Sequence, residues 1–206
     1  MNTPTNPPTP VVKGSPLLKW VRAHLRIPVT ALLLACFSVW TVQVRGADLI
    51  WNSDGTSGAP TGGAGTWDLS ATNLWDNAGV MQAWINSIND RAIFGGTAGT
   101  VTLGVPITAG GLTFNSGGYT VTGNTLTLAA PTGSNSPLLA VNNDGFGTNQ
   151  ATISSTLAGA SGFTKTGNGT LRLTADNSST LSGDIAIKGG NVVITNANQL
   201  GSLTGT

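Results

Sequence analysis

The sequence predicts an all-β protein, a parallel β-helix (β-solenoid) preceded by a Trp-rich N-terminal cap and a helical signal segment. Three observations carry that expectation. Apolar and polar residues alternate in short runs, Gly and Asn recur between the runs, and only 8% of the 206 residues are charged. An ordinary globular surface is about a quarter charged, so hydroxyl and amide side chains must keep this chain soluble. Disorder fits poorly, because 39% of the residues are hydrophobic and the formal net charge is only +1; disordered chains show the opposite balance.

The signal segment comes first. Lys13, Lys19, Arg22, Arg26 and Arg45 supply its charge, and no acid occurs before Asp48. Ile27 to Val44 is apolar and uncharged, and Val44-Arg45-Gly46-Ala47 offers small residues for cleavage after Gly46 or after Ala47. A basic region, an apolar core and a small-residue site specify a secretory signal peptide, here residues 1–46. Two other readings stay open: an uncleaved anchor slightly shorter than the roughly 20 residues that cross a bilayer, and lipidation of Cys36 after Leu33-Leu34-Ala35. All three export the rest of the chain, so membrane contact is expected only through this segment.

Beyond it, Arg91, Lys165, Arg172 and Lys188 face eight Asp and no Glu, so the exported part is net acidic. No basic surface for nucleic acid is expected. The only His and the only Cys, His24 and Cys36, lie in the leader. Residues 48–206 therefore lack a thiol nucleophile, an imidazole base and a Cys/His metal site, and neither an enzyme activity nor a cofactor is expected of them.

The Trp-rich region spans residues 47–98. Trp51, Trp67, Trp75 and Trp84 would either plug the end of the first coil, each burying ~150–250 Å², or form a platform on which sugars stack. From residue 99 the alternation is sustained: Val101, Leu103 and Val105, then Leu112 and Phe114, Tyr119 and Val121, Leu126 and Leu128. Ile153 and Leu157, Leu171 and Leu173, Ile185 and Ile187, and Val192 and Ile194 continue it. Gly110-Gly111, Gly117-Gly118, Gly123-Asn124, Gly167-Asn168-Gly169 and Gly189-Gly190 sit between the runs, where tight corners demand positive φ. Strands about seven residues apart make a coil of roughly 20 residues. A hairpin sandwich is the rival architecture; monotonous strands of four or five residues favour coils stacked Leu over Leu and Thr over Thr.

Two polar groups invite chemical readings. Asn142 to Asn149 is rich in oxygen ligands but lacks the acids of a calcium loop, so a connecting loop is expected. Lys165, Arg172, Asp176, Asp184 and Lys188 would suit the face of a polysaccharide-degrading enzyme; a solvated face is the expected reading, since Arg172 alternates with Leu171 and Leu173.

Within residues 161–202 the run Gly162, Phe163, Lys165, Gly167, Gly169, Leu171, Leu173, then Asn177, Gly183, Gly190, Leu200 and Gly201, resembles the autotransporter-associated β-strand repeat. Trp51-Asn52, Gly65 to Asp68, Asn73 to Asp76, Asp90 to Phe94 and Gly110 to Phe114 look like the N-terminal portion of large exported repeat proteins of that kind. The resemblance implies a secreted or surface-displayed passenger-type β-helix, structural or adhesive, in which the repeat helps folding during export. Its ligand would be a cell-surface or extracellular one, a glycan among the candidates. A carbohydrate-binding exported domain is the second reading and a β-helical polysaccharide-degrading enzyme the third. The pattern breaks off at Leu203 to Thr206, so a C-terminal continuation is expected, and residues 48–206 alone are expected to self-associate through an uncapped end.

Overall fold

The computed structural model describes residues 46–70, 74–87, 89–142 and 149–202. The signal segment, Cys36, Asn73, most of the Asn142–Asn149 loop and the last four residues lie outside the described residues. Among those described, the chain is almost wholly β, with seventeen strands and one short 3-10 helix, Ala197–Leu200. No helix there is long and apolar enough to cross a membrane.

The strands form three sheets. In chain order the first sheet takes β1 (Asp48–Trp51), β3 (Trp75–Asn77), β4 (Val80–Gln82), β5 (Arg91–Phe94), β8 (Gly111–Phe114), β11 (Leu138–Val141), β14 (Phe163–Thr166) and β16 (Ile185–Ile187). The second takes β2 (Gly65–Trp67), β6 (Thr100–Leu103), β9 (Thr120–Gly123), β12 (Gln150–Ile153), β15 (Thr170–Leu173) and β17 (Asn191–Val193). The third holds β7 (Ile107–Ala109), β10 (Leu126–Leu128) and β13 (Leu157–Ala158). From β5 to β15 the chain visits the first, second and third sheets in fixed rotation, and each strand pairs with the strand one rotation later. Where a third-sheet strand would follow β15, a single bridge from Gly159 to Leu181 stands in.

Every strand pairing from Thr100 to Val193 is parallel, which excludes the hairpin sandwich for that stretch. Antiparallel pairing occurs where β3 joins β1 and β4. The alternation fixes the register, because a one-residue slip would turn every apolar side chain outward. Val101 lies in register with Val121, Val121 with Ile153 and Ile153 with Leu173, and all four are buried. Ile107, Leu126 and Leu157 make the equivalent column in the third sheet. On the outside, Thr100, Thr120 and Thr152 stack, as do Thr102 and Thr122. Each buried aliphatic side chain contributes about 1.5–3 kcal/mol relative to an exposed one.

Burial fails at the last strands. Ile187 is 56% exposed, and Ile185, Val192 and Ile194 are only half-buried. Alternation alone leads one to expect inward residues there. Among the described residues β16 and β17 are the terminal strands of their sheets, so one side of each has no described strand beside it.

Candidate functional site

Two places gather side chains singled out in the sequence, the tryptophan cluster and the corners around Lys165 and Asn177; a third, a groove over the first sheet, takes in Lys188.

Trp51, Trp67, Trp75 and Trp84 converge at the N-terminal end of the sheets. Neighbouring indoles lie 4.7–5.1 Å apart at steep angles, the edge-to-face geometry that aromatic quadrupoles favour. Phe94 adjoins three of them. Trp51 Nε1 donates to the Gly63 carbonyl and Trp84 Nε1 to that of Thr108, which ties the cluster to the loop before β2 and to β7 of the third sheet. All four are at most 1% exposed. No ring face is open for a sugar to stack on, and the packing is that of a plug. Beside it, the buried Asp76 carboxylate accepts the amides of Gly58 and Gly79 and so fixes the β3–β4 turn.

The repeat motif supplies the corners. Phe163, Leu171 and Leu173 point into the core. Gly162 has φ +58 and packs so closely on the Asp184 carbonyl that a Cβ would overlap it. Gly167, Gly183, Gly190 and Gly201 also have positive φ, Gly169 packs its backbone against Val141, and Leu200 is half-buried against the core.

Lys165 departs from the solvated face on which the sequence reading placed it. It shares the inward parity of Phe163 and is fully buried, in register between Leu139 and Ile187. Its ammonium donates to the carbonyls of Thr166, Gly167 and Gly189 at 2.7, 3.0 and 3.0 Å. Three donors meeting three carbonyls offset much of the desolvation, though burial still pulls its pKa below the usual lysine range. Since Gly189 belongs to the next rotation of the chain, Lys165 joins two successive corners.

Asn177 plays the matching part where the third sheet thins out. Its Oδ1 accepts the Leu157 amide at 2.7 Å and its Nδ2 donates to the Gln199 carbonyl at 2.7 Å. One buried amide thus links the rotation before it to the rotation after. The other members of the charged group stay outside. Asp176 caps a turn with the Ser178 amide and hydroxyl, bonds that hold its carboxyl below the ordinary range; Asp184 and Lys188 are exposed and Arg172 half-buried.

The groove, about 590 Å³, opens on the outer face of the first sheet. Arg91, Leu138, Thr164 and Thr166 form part of its floor, Lys188 stands at one end, and the loop from Pro131 to Ser136 flanks it. Thr164 anchors that loop through its amide to the Pro137 carbonyl and its hydroxyl to Ser136. Arg91 holds Asp48 in a two-point ion pair at 2.6 and 2.8 Å. Short polar residues and two cations make this a surface for hydrogen bonding. Sequence reasoning did not anticipate it: the signal lay in Pro131 to Pro137, an insertion that lengthens one rotation. Among the described residues no three His, Cys, Asp or Glu groups converge to hold a metal.

Over 194 residues, 91% of its length, the chain is 39% identical to a protein named "Adhesin BmaC autotransporter" from Brucella suis biovar 1 (strain 1330). The chain spans about 5% of the length of that curated relative. The chain is thus similar to a short portion of an autotransporter adhesin. No family model matches the chain, and no solved structure matches it.

Proposed function

We propose that this chain is an autotransporter-related, exported, non-enzymatic, adhesive surface module built as a β-solenoid. The observation that carries the adhesive reading is its 39% identity, over 91% of its length, to an autotransporter adhesin. The fixed rotation of the chain through three parallel sheets supports the solenoid, with residues 47–98 as its N-terminal cap, 99–206 as its stacked body and 161–202 as a passenger-type repeat. Such a stack suits adhesion, because a rigid column of coils presents a long lateral surface.

Within that reading, ligand is met at the groove beside Lys188 and Thr166. A glycan is the class favoured, since the lining is rich in hydroxyl and amide groups while the tryptophans are enclosed. The test displays the full chain on a non-adherent bacterium and measures binding to host cells and to a glycan array. Binding that falls at least tenfold in Lys188→Glu/Thr166→Lys, with display unchanged, is the expected result. Adhesion no better than that of the undisplayed host refutes the adhesive reading.

A further inference from the structure

The contact between Ala47 and Asp90 is only half used in the uncut chain. The Ala47 amide donates to Asp90 Oδ1 at 2.6 Å. Asp90 is only 1% exposed, yet its Oδ2 has no hydrogen-bond partner. A single peptide N–H cannot satisfy an ionised carboxylate, which has room for about four donors. Burial accordingly pushes the Asp90 carboxyl up from its usual range. Backbone bonds fix the two residues from either side: Arg91 N donates to the Ala47 carbonyl at 2.8 Å, and Gly110 N to the Asp90 carbonyl at 2.7 Å.

The sequence gives the bond before Ala47 a second character. Val44 and Gly46 stand where a small-residue export cleavage site requires them, after an apolar segment with a basic flank. Gly46 borders the open groove, and a Cβ there would overlap the Asn89 carbonyl.

We propose that hydrolysis of the Gly46–Ala47 bond makes the mature N-terminus, and that the new α-ammonium of Ala47 locks onto Asp90 as a buried ion pair. The inference rests on the exported reading given above. In the hydrolysis the oxygen of water joins the Gly46 carbonyl carbon and the C–N bond breaks. Both water protons end on the Ala47 nitrogen, leaving Gly46 as a carboxylate on the released leader. The nitrogen passes from one donor to three without moving, already within hydrogen-bond distance of the carboxylate. Cleavage after Ala47 would instead discard the donor, so the geometry selects between the two cleavage positions that the leader leaves open. The pairing would tighten the docking of the first strand once the leader is removed.

The full 206-residue chain, expressed in an exporting bacterial host, is fractionated and its N-terminus read by sequencing and intact mass. A mature protein starting at Ala47 is expected. Full-length chain retained in the cytoplasm overturns both the export and this inference; exported chain that is uncut, or starts elsewhere, overturns this inference alone. The processed protein is then reductively methylated at pH 8. Its α-amine should react about fivefold more slowly than that of the peptide Ala-Asp-Leu-Ile, the loss of free amine at pH 8 when an α-amine pKa rises by about one, and Asp90→Asn should abolish the difference. A peptide-like rate in the unmutated protein overturns the pairing, whether or not Asp90→Asn folds.

Discussion

Phe94 and Phe114 stack on neighbouring strands of the first sheet, paired in register with ring centroids 5.0 Å apart and planes 13° from parallel. Phe94 also touches three of the four clustered tryptophans, and Phe114 faces Val141 in the strand beyond. The two rings therefore connect the N-terminal plug to the aliphatic columns. Phe114→Ala should cost about 3–5 kcal/mol, the usual range for an emptied aromatic site in a close-packed core. Phe114→Leu should cost less. Urea unfolding followed by tryptophan fluorescence measures both, and a cost below 1 kcal/mol for the alanine variant would show that the plug and the columns are not coupled here.

Glycine at a corner matters where the backbone of the next rotation presses on it. At Gly162, φ is +58 and a Cβ would overlap the Asp184 carbonyl; at Gly133, φ is +84 but nothing lies within 4 Å. Gly133→Ala carries only the conformational penalty, about 1 kcal/mol. Gly162→Ala adds a backbone displacement and should cost clearly more, at least 2 kcal/mol. Equal losses in parallel urea melts would mean that the close approach at Gly162 is not enforced.

The alternation made the columns legible in advance: Val101, Val121, Ile153 and Leu173 are inward because each lies in a short period-two run. The tryptophans were legible as a group, but not the antiparallel turn that holds Trp75, because strands of three residues are too short to show a period. Lys165 was misread although its parity with Phe163 places it inside. A charged residue is ordinarily assigned to solvent, and only the convergence of Thr166, Gly167 and Gly189 carbonyls shows how its ammonium is tolerated. Ile187 reads as inward from its alternation with Ile185, yet it is exposed, because burial at that position depends on whether another strand covers it. The groove was hidden because it is made by an insertion outside any periodic run.

Asn177 links two rotations at once, so its loss should be felt on both sides. Asn177→Ala leaves the Leu157 amide and the Gln199 carbonyl without their partner, each buried unsatisfied group costing about 1–3 kcal/mol. A total of at least 2 kcal/mol is expected. Hydrogen exchange gives the more specific check. The amides of Leu157 and of Gln199, whose carbonyl loses its Asn177 donor, should lose protection, while Val101 in the second sheet keeps its own. Uniform loss of protection would mean that Asn177 acts on global stability and not on this joint.

Lys165 sets a dependence of stability on pH whose direction follows from its surroundings. Burial lowers its pKa in the folded protein below the ordinary lysine value of 10.5, which is near that of a lysine in an unfolded chain. Between the lowered value and 10.5 the unfolded chain therefore binds more protons than the folded one. In that window stability rises with pH; below it the cost of the buried charge is constant, and above it the cost is gone. Lys165→Met removes the titrating group while keeping most of the volume. It also strips three carbonyls of their donor, so the variant should be less stable at neutral pH by about 2–3 kcal/mol. Its stability should lack the rise toward pH 10.5 that the unmutated chain shows, so the gap between the two should widen as pH is raised through the window. Urea melts at pH 7, 8.5 and 10 test this, and a gap that narrows with pH would mean that the three carbonyls stabilise the ammonium by more than burial destabilises it.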